Sequence, residues 1–99
     1  IVVEVADGIL QPETAELLAS PVVSHYSRGI VFAAGDSMGA VSGVEWLQRR
    51  GLHVHAVSGA LTASPLAVRE TSGALGIPVI GKKGLADPKR ASAILAACH

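Results

Sequence analysis

The sequence predicts an α/β fold of three layers, with helices on both sides of a mostly parallel four-stranded sheet. Four apolar runs, Ile1 to Ala6, Gly29 to Ala34, Leu52 to Ser58 and Ile77 to Ile80, alternate with segments of helical character, the cadence of consecutive βα units. The runs are continuous in Val, Ile and Ala rather than alternating with polar residues, which suits strands covered on both faces. Proline and glycine mark where the helices between them start and stop.

Taken in order, the first run ends in the acidic, glycine-containing turn Asp7-Gly8, a pair that supplies local hydrogen bonding and permissive φ angles. Pro12 stands where a first helical position belongs, after Gln11. The segment Ser20 to Arg28 is the least regular, and a surface loop or a short extra turn is expected there. After the second run, Asp36 or Ser37 caps a helix that runs to about Arg50. Its last turn carries Arg49 and Arg50, cations that complement the helix dipole. Gly51 and Gly76 read as left-handed stops directly before new strands. Ser64-Pro65 and Asp87-Pro88 each pair an N-cap with a proline in the first helical position.

Composition narrows the function classes. The 99 residues are 49% hydrophobic, enough for one small domain that buries about two thirds of its unfolded surface. Tyr26, Phe32 and Trp46 are the only aromatic side chains of their kinds, so the core must be aliphatic and no stacking surface for nucleic acid exists. Eight basic and eight acidic residues cancel, which leaves no electrostatic footprint for nucleic acid or an anionic membrane. The lone Cys98 excludes an internal disulfide and reads as a packing residue. No apolar run reaches the length of a membrane span and no basic flank precedes the first run, so a soluble, cytoplasmic protein is expected. The chain opens on a strand isoleucine, and residues 1–99 are expected to form a single α/β domain or a half-domain from a longer chain.

In open parallel sheets ligands gather at the carboxyl ends of the strands, which puts Glu4 and Asp7 where a metal or phosphate site is built. Neither a G-x-x-x-x-G-K-[ST] phosphate loop nor a G-x-G-x-x-G fingerprint occurs. The turn Glu4-Val5-Ala6-Asp7-Gly8 resembles the E-G-A-G-G turn of dethiobiotin synthetase, a P-loop enzyme of the MinD-like group. Gly35-Asp36-Ser37-Met38-Gly39 is similar to that family's G-x-x-L-G, Gly51-Leu52 to the close of its following helix, and Gly76 to Gly81 to the strand and loop before its base pocket. The resemblance implies a P-loop NTPase-like half-domain that lacks the phosphate-loop strand. It implies Mg2+ held by Glu4 and Asp7, and ATP or GTP flanked by Asp36, Ser37, Ser58, Gly59, Gly81 and Lys82 in the intact parent. Two departures stand out: Asp7 replaces a family glycine, and Ser58-Gly59 stands where the family places a base-reading asparagine. Without backbone amides and a lysine to cradle phosphates, tight binding of nucleotide by these residues alone is not expected. Its further substrate is an unidentified small molecule.

A rival reading comes from the same loop. Gly35-Asp36-Ser37-Met38-Gly39 also satisfies G-x-S-x-G, the nucleophile elbow, with a strand before it and a helix after it. Ser37 would be the nucleophile, and Asp87 and His99 follow in the chain order of an α/β-hydrolase triad. Only one helical segment separates Asp87 from His99, so no strand returns the histidine to the site, and no upstream loop supplies a second oxyanion donor. The bland role of Ser37 is helix capping. A third reading is a non-catalytic interaction module that forms a homodimer or joins an upstream domain through open sheet edges. Lys82 and Lys83 could neutralise a phosphate, or simply be solvated. His53 and His55 share a strand face but have no third ligand beside them, which favours a structural role over a metal site.

Overall fold

A computed structural model describes residues 2–98. Helices α1 (Pro12–Ala19) and α2 (Pro21–Tyr26) precede strand β1 (Ile30–Ala33), helix α3 (Ser37–Arg49) and strand β2 (Val54–Ser58). A 3-10 turn (Ala60–Ala63), α4 (Pro65–Leu75), α5 (Lys82–Ala86) and α6 (Pro88–Ala97) complete the chain. The cap residues are those that the sequence marks. Asp36 accepts a hydrogen bond from Gly39 N at 2.6 Å, Ser64 from Ala67 N at 3.2 Å and Asp87 from Lys89 N at 3.0 Å. Gln11 caps α1 through Thr14 N at 3.1 Å, and Ser20 caps α2, which turns the irregular segment into a short helix. Gly51 and Gly76 take φ of 76° and 67°, the left-handed stops that let the chain leave a helix sharply.

The four-stranded sheet is not formed. Among the described residues the sheet has two strands, β1 and β2, which pair in parallel and are connected by α3. Val2 to Ala6 make no strand. Val2 and Val3 are 86% and 77% exposed, and nothing pairs with them. An apolar run becomes a strand only when a partner edge satisfies its backbone groups, and sequence pattern does not supply that edge. The run Ile77 to Ile80 contributes a single parallel bridge, Val57 with Val79, through Val57 N to Pro78 O (2.9 Å) and Ile80 N to Val57 O (2.8 Å). Pro78 has no N–H to extend the ladder, and α5 begins at Lys82, so the pairing stops there.

Helices cover both faces of this narrow sheet. α3 packs on β1 and β2 from one side, with the Phe32 ring against Gly43, and α4 lies alongside α3. α6 packs on β2 from the other side. Ala40, Val44 and Leu47 of α3 join Leu52, Val54, Val57 and Leu61 in one aliphatic core. The α3 positions recur at three- and four-residue spacing, as a single buried stripe requires.

Thr71 of α4 is fully buried, and its Oγ1 has no hydrogen-bond partner. A buried hydroxyl without a partner costs about 1–3 kcal/mol. Thr71→Val keeps the branched shape and removes the unpaired atom, so it is expected to raise stability by about 1 kcal/mol. In a chain of this size that is about 4–8 °C in Tm. Calorimetric melting checks it; an unchanged or lower Tm would mean that ordered water satisfies the hydroxyl.

Candidate functional site

Three segments meet at the carboxyl ends of β1, β2 and the Val79 bridge, where an open parallel sheet forms its crevice. Ala34 holds the first two together: its N–H donates to Ser58 O at 3.0 Å, and its carbonyl accepts from Leu61 N at 3.1 Å. Gly59 makes this approach possible. Its φ is 98°, and a Cβ on it would lie 2.7 Å from both the N and the O of Ala34. The third segment is tied in by Ser58, whose hydroxyl donates to Ile80 O at 2.6 Å, and Gly81 packs near Thr62.

The expected nucleotide residues Asp36, Ser37, Ser58, Gly59, Gly81 and Lys82 therefore belong to three adjoining strand ends. Their free chemistry is smaller than their number. Asp36 is engaged as the cap of α3, and Ser58 is buried with its hydroxyl committed to Ile80. Ser37 opens α3, and its hydroxyl makes a long contact of 3.5 Å to Glu70 Oε1 of α4. Lys82 begins α5 and is exposed. Glu70 is the member that sequence reasoning missed. Thirty-three positions separate it from Ser37, and only the packing of α4 on α3 brings it there.

Glu4 and Asp7 lie elsewhere. With Gln11, Glu13, Thr14 and Leu17 they line an open cavity of about 530 Å3 against α1, which shares no lining residue with the crevice. Within it the Gln11 side-chain amide donates to Glu13, besides capping α1. The structure does not place Glu4 at the end of a strand, because Val2 to Ala6 form none.

The proposed triad residues are not assembled among the described residues. Asp87 caps α6, Ser37 meets a carboxylate, and His99 lies outside the described residues. His53 and His55 do share a face, with ring centroids 6.4 Å apart. His55 sits over Gly29 next to Cys98, whose thiol donates to Ile94 O at 3.2 Å. A Cβ at Gly29 would come within 2.7 Å of both side chains, so the small residue makes room for them. Among the described residues no group of three or more His, Cys, Asp or Glu is placed to hold a metal ion.

The residues do not fit a magnesium nucleotide as one site: Glu4 and Asp7 are hard oxygen donors of the kind that Mg2+ prefers, but they line the separate cavity against α1. The crevice offers an exposed lysine, Lys82, next to Gly81. No helix of the described residues is long and apolar enough to cross a membrane. Compared with family models, curated proteins and solved structures, the chain matches none.

Proposed function

We propose that the chain supplies the base-side wall of an ATP- or GTP-binding domain, with the crevice at the strand ends as the contact surface. The observation that carries this reading is the convergence of Gly35 to Ser37, Ser58-Gly59 and Gly81-Lys82 at the carboxyl ends of parallel pairs. The resemblance to dethiobiotin synthetase supports it at the same positions. Phosphates are gripped by a loop that these 99 residues do not contain, so affinity of the chain itself is weak.

In this reading Gly81, beside Thr62, borders the base, and Lys82 offers a cation at the rim. Ser37 and Glu70 supply hydrogen-bonding groups on the far wall. No reaction step is assigned to the chain.

Two-dimensional amide NMR of the protein, titrated with millimolar ATP and GTP with and without Mg2+, tests the reading. Shifts concentrated at Gly35 to Ser37, Ser58-Gly59 and Gly81-Lys82 are expected. No shifts, or shifts confined to α6, would overturn it. Glu4→Gln is expected to leave these shifts unchanged, because Glu4 lies in the separate cavity against α1.

A further inference from the structure

We propose that β1 pairs antiparallel with β1 of a second copy of this chain, joining two sheets into one of four strands across a two-fold axis. β1 is an edge strand. The N–H groups of Ile30 and Ala34 point to β2, donating to His53 O at 2.8 Å and Ser58 O at 3.0 Å. Alternate residues of a strand direct their backbone groups to opposite sides, so Val31 and Ala33 present theirs to the free edge. Among the described residues neither takes part in a backbone hydrogen bond on that side. Both residues are exposed, and Val31 is 45% exposed. From Gly29 to Gly35 the edge carries no charge or proline of the kind that protects edges from association, and the register shift at Ile30/Val31 places its extra residue on β2.

The edge complements itself in one register. With Phe32 opposite its symmetry mate, Val31 faces Ala33 of the second copy as a hydrogen-bonded pair, because both point outward. The same register sets Arg28 opposite Asp36 at each end of the joined strands, and both are exposed. Neither forms an ion pair within the described chain. That charge complementarity selects a second copy over an unrelated strand. The pairing also brings the second copy's Arg28 beside Asp36 at the mouth of the crevice, without depending on what the crevice binds.

Sedimentation equilibrium of the full 99-residue protein from micromolar to submillimolar concentration tests the pairing. A reversible dimer is expected. Arg28→Glu replaces two attractive cross-strand pairs with two repulsive ones and is expected to raise the dimer Kd about tenfold or more. Combining Arg28→Glu with Asp36→Arg restores opposite charges and is expected to recover most of the affinity, with circular dichroism confirming that each variant is folded. A monomer throughout the range, leaving the edge for some other strand, would overturn the proposal. So would a dimer that Arg28→Glu leaves unchanged. The two readings share Asp36, but sedimentation reads the dimer without nucleotide and the nucleotide shifts include Ser58-Gly59 and Gly81-Lys82 away from the pairing edge, so either proposal can fail alone.

Discussion

Replacing Gly59 with alanine is expected to destabilise the protein by about 3 kcal/mol or more, the largest loss from adding a single methyl group. Gly59 has φ 98° and ψ −168°, a region that residues with a Cβ reach only under strain. Space is missing as well as freedom: the added Cβ would lie 2.7 Å from Ala34 N and O and 3.2 Å from Ala33 C, all backbone atoms. A side chain could swing away, but this backbone is held by its own hydrogen bonds to Ser58 and Leu61. Relief therefore requires separating the ends of β1 and β2, which breaks the crevice and loosens Leu61 from the core. Urea unfolding measures the loss. Gly35→Ala is the control: nothing lies within 4 Å of its Cβ position and its φ is not positive. It is expected to change stability by less than about 0.5 kcal/mol. Equal effects at the two positions would show that Gly59 is not the wedge between the strands.

Leu47→Ala is expected to cost about 3 kcal/mol, from lost apolar burial plus the cavity left behind. Leu47 is 2% exposed, among the largest buried side chains of α3, and shares the core with Val44, Leu52 and Leu61. It is also the helix residue whose carbonyl accepts from Leu52 N at 3.2 Å, so it stands where α3 turns into the approach to β2. Domains have about 5–15 kcal/mol of total stability, so the variant loses a large share of it. Leu47→Met, of similar volume, is expected to lose less than about 1.5 kcal/mol. Chemical denaturation of the three proteins side by side checks this. A loss from Leu47→Ala no greater than from Leu47→Met would mean that the site collapses around the smaller side chain.

The two substitutions differ in what they say about legibility. Leu47 could be assigned to the core from the spacing of Ala40, Val44 and Leu47 on one helical stripe. Gly59 could be noted as a glycine after a strand, but its reason, the backbone of Ala34 against it, lies 25 positions away in the chain. The candidate site divides in the same way. That Asp36, Ser58 and Gly81 follow apolar runs is visible in the chain, whereas the commitment of the Ser58 hydroxyl to Ile80 and the approach of Glu70 to Ser37 are not.

The chain's local order fixed the helix starts at Pro12, Pro65 and Pro88, the Asp36 cap, the stops at Gly51 and Gly76, and the two apolar runs that became β1 and β2. Each of these rests on φ preferences or on hydrogen bonds that reach only a few residues, so a short window of sequence contains the whole cause. Folding in space settled the rest: Val2 to Ala6 stay unpaired, Ile77 to Ile80 contribute a single bridge, and Glu4 and Asp7 face α1 rather than the crevice. A strand is completed by a partner edge, and a site by groups distant in sequence. Both depend on which surfaces meet after the core has closed, and no local pattern carries that.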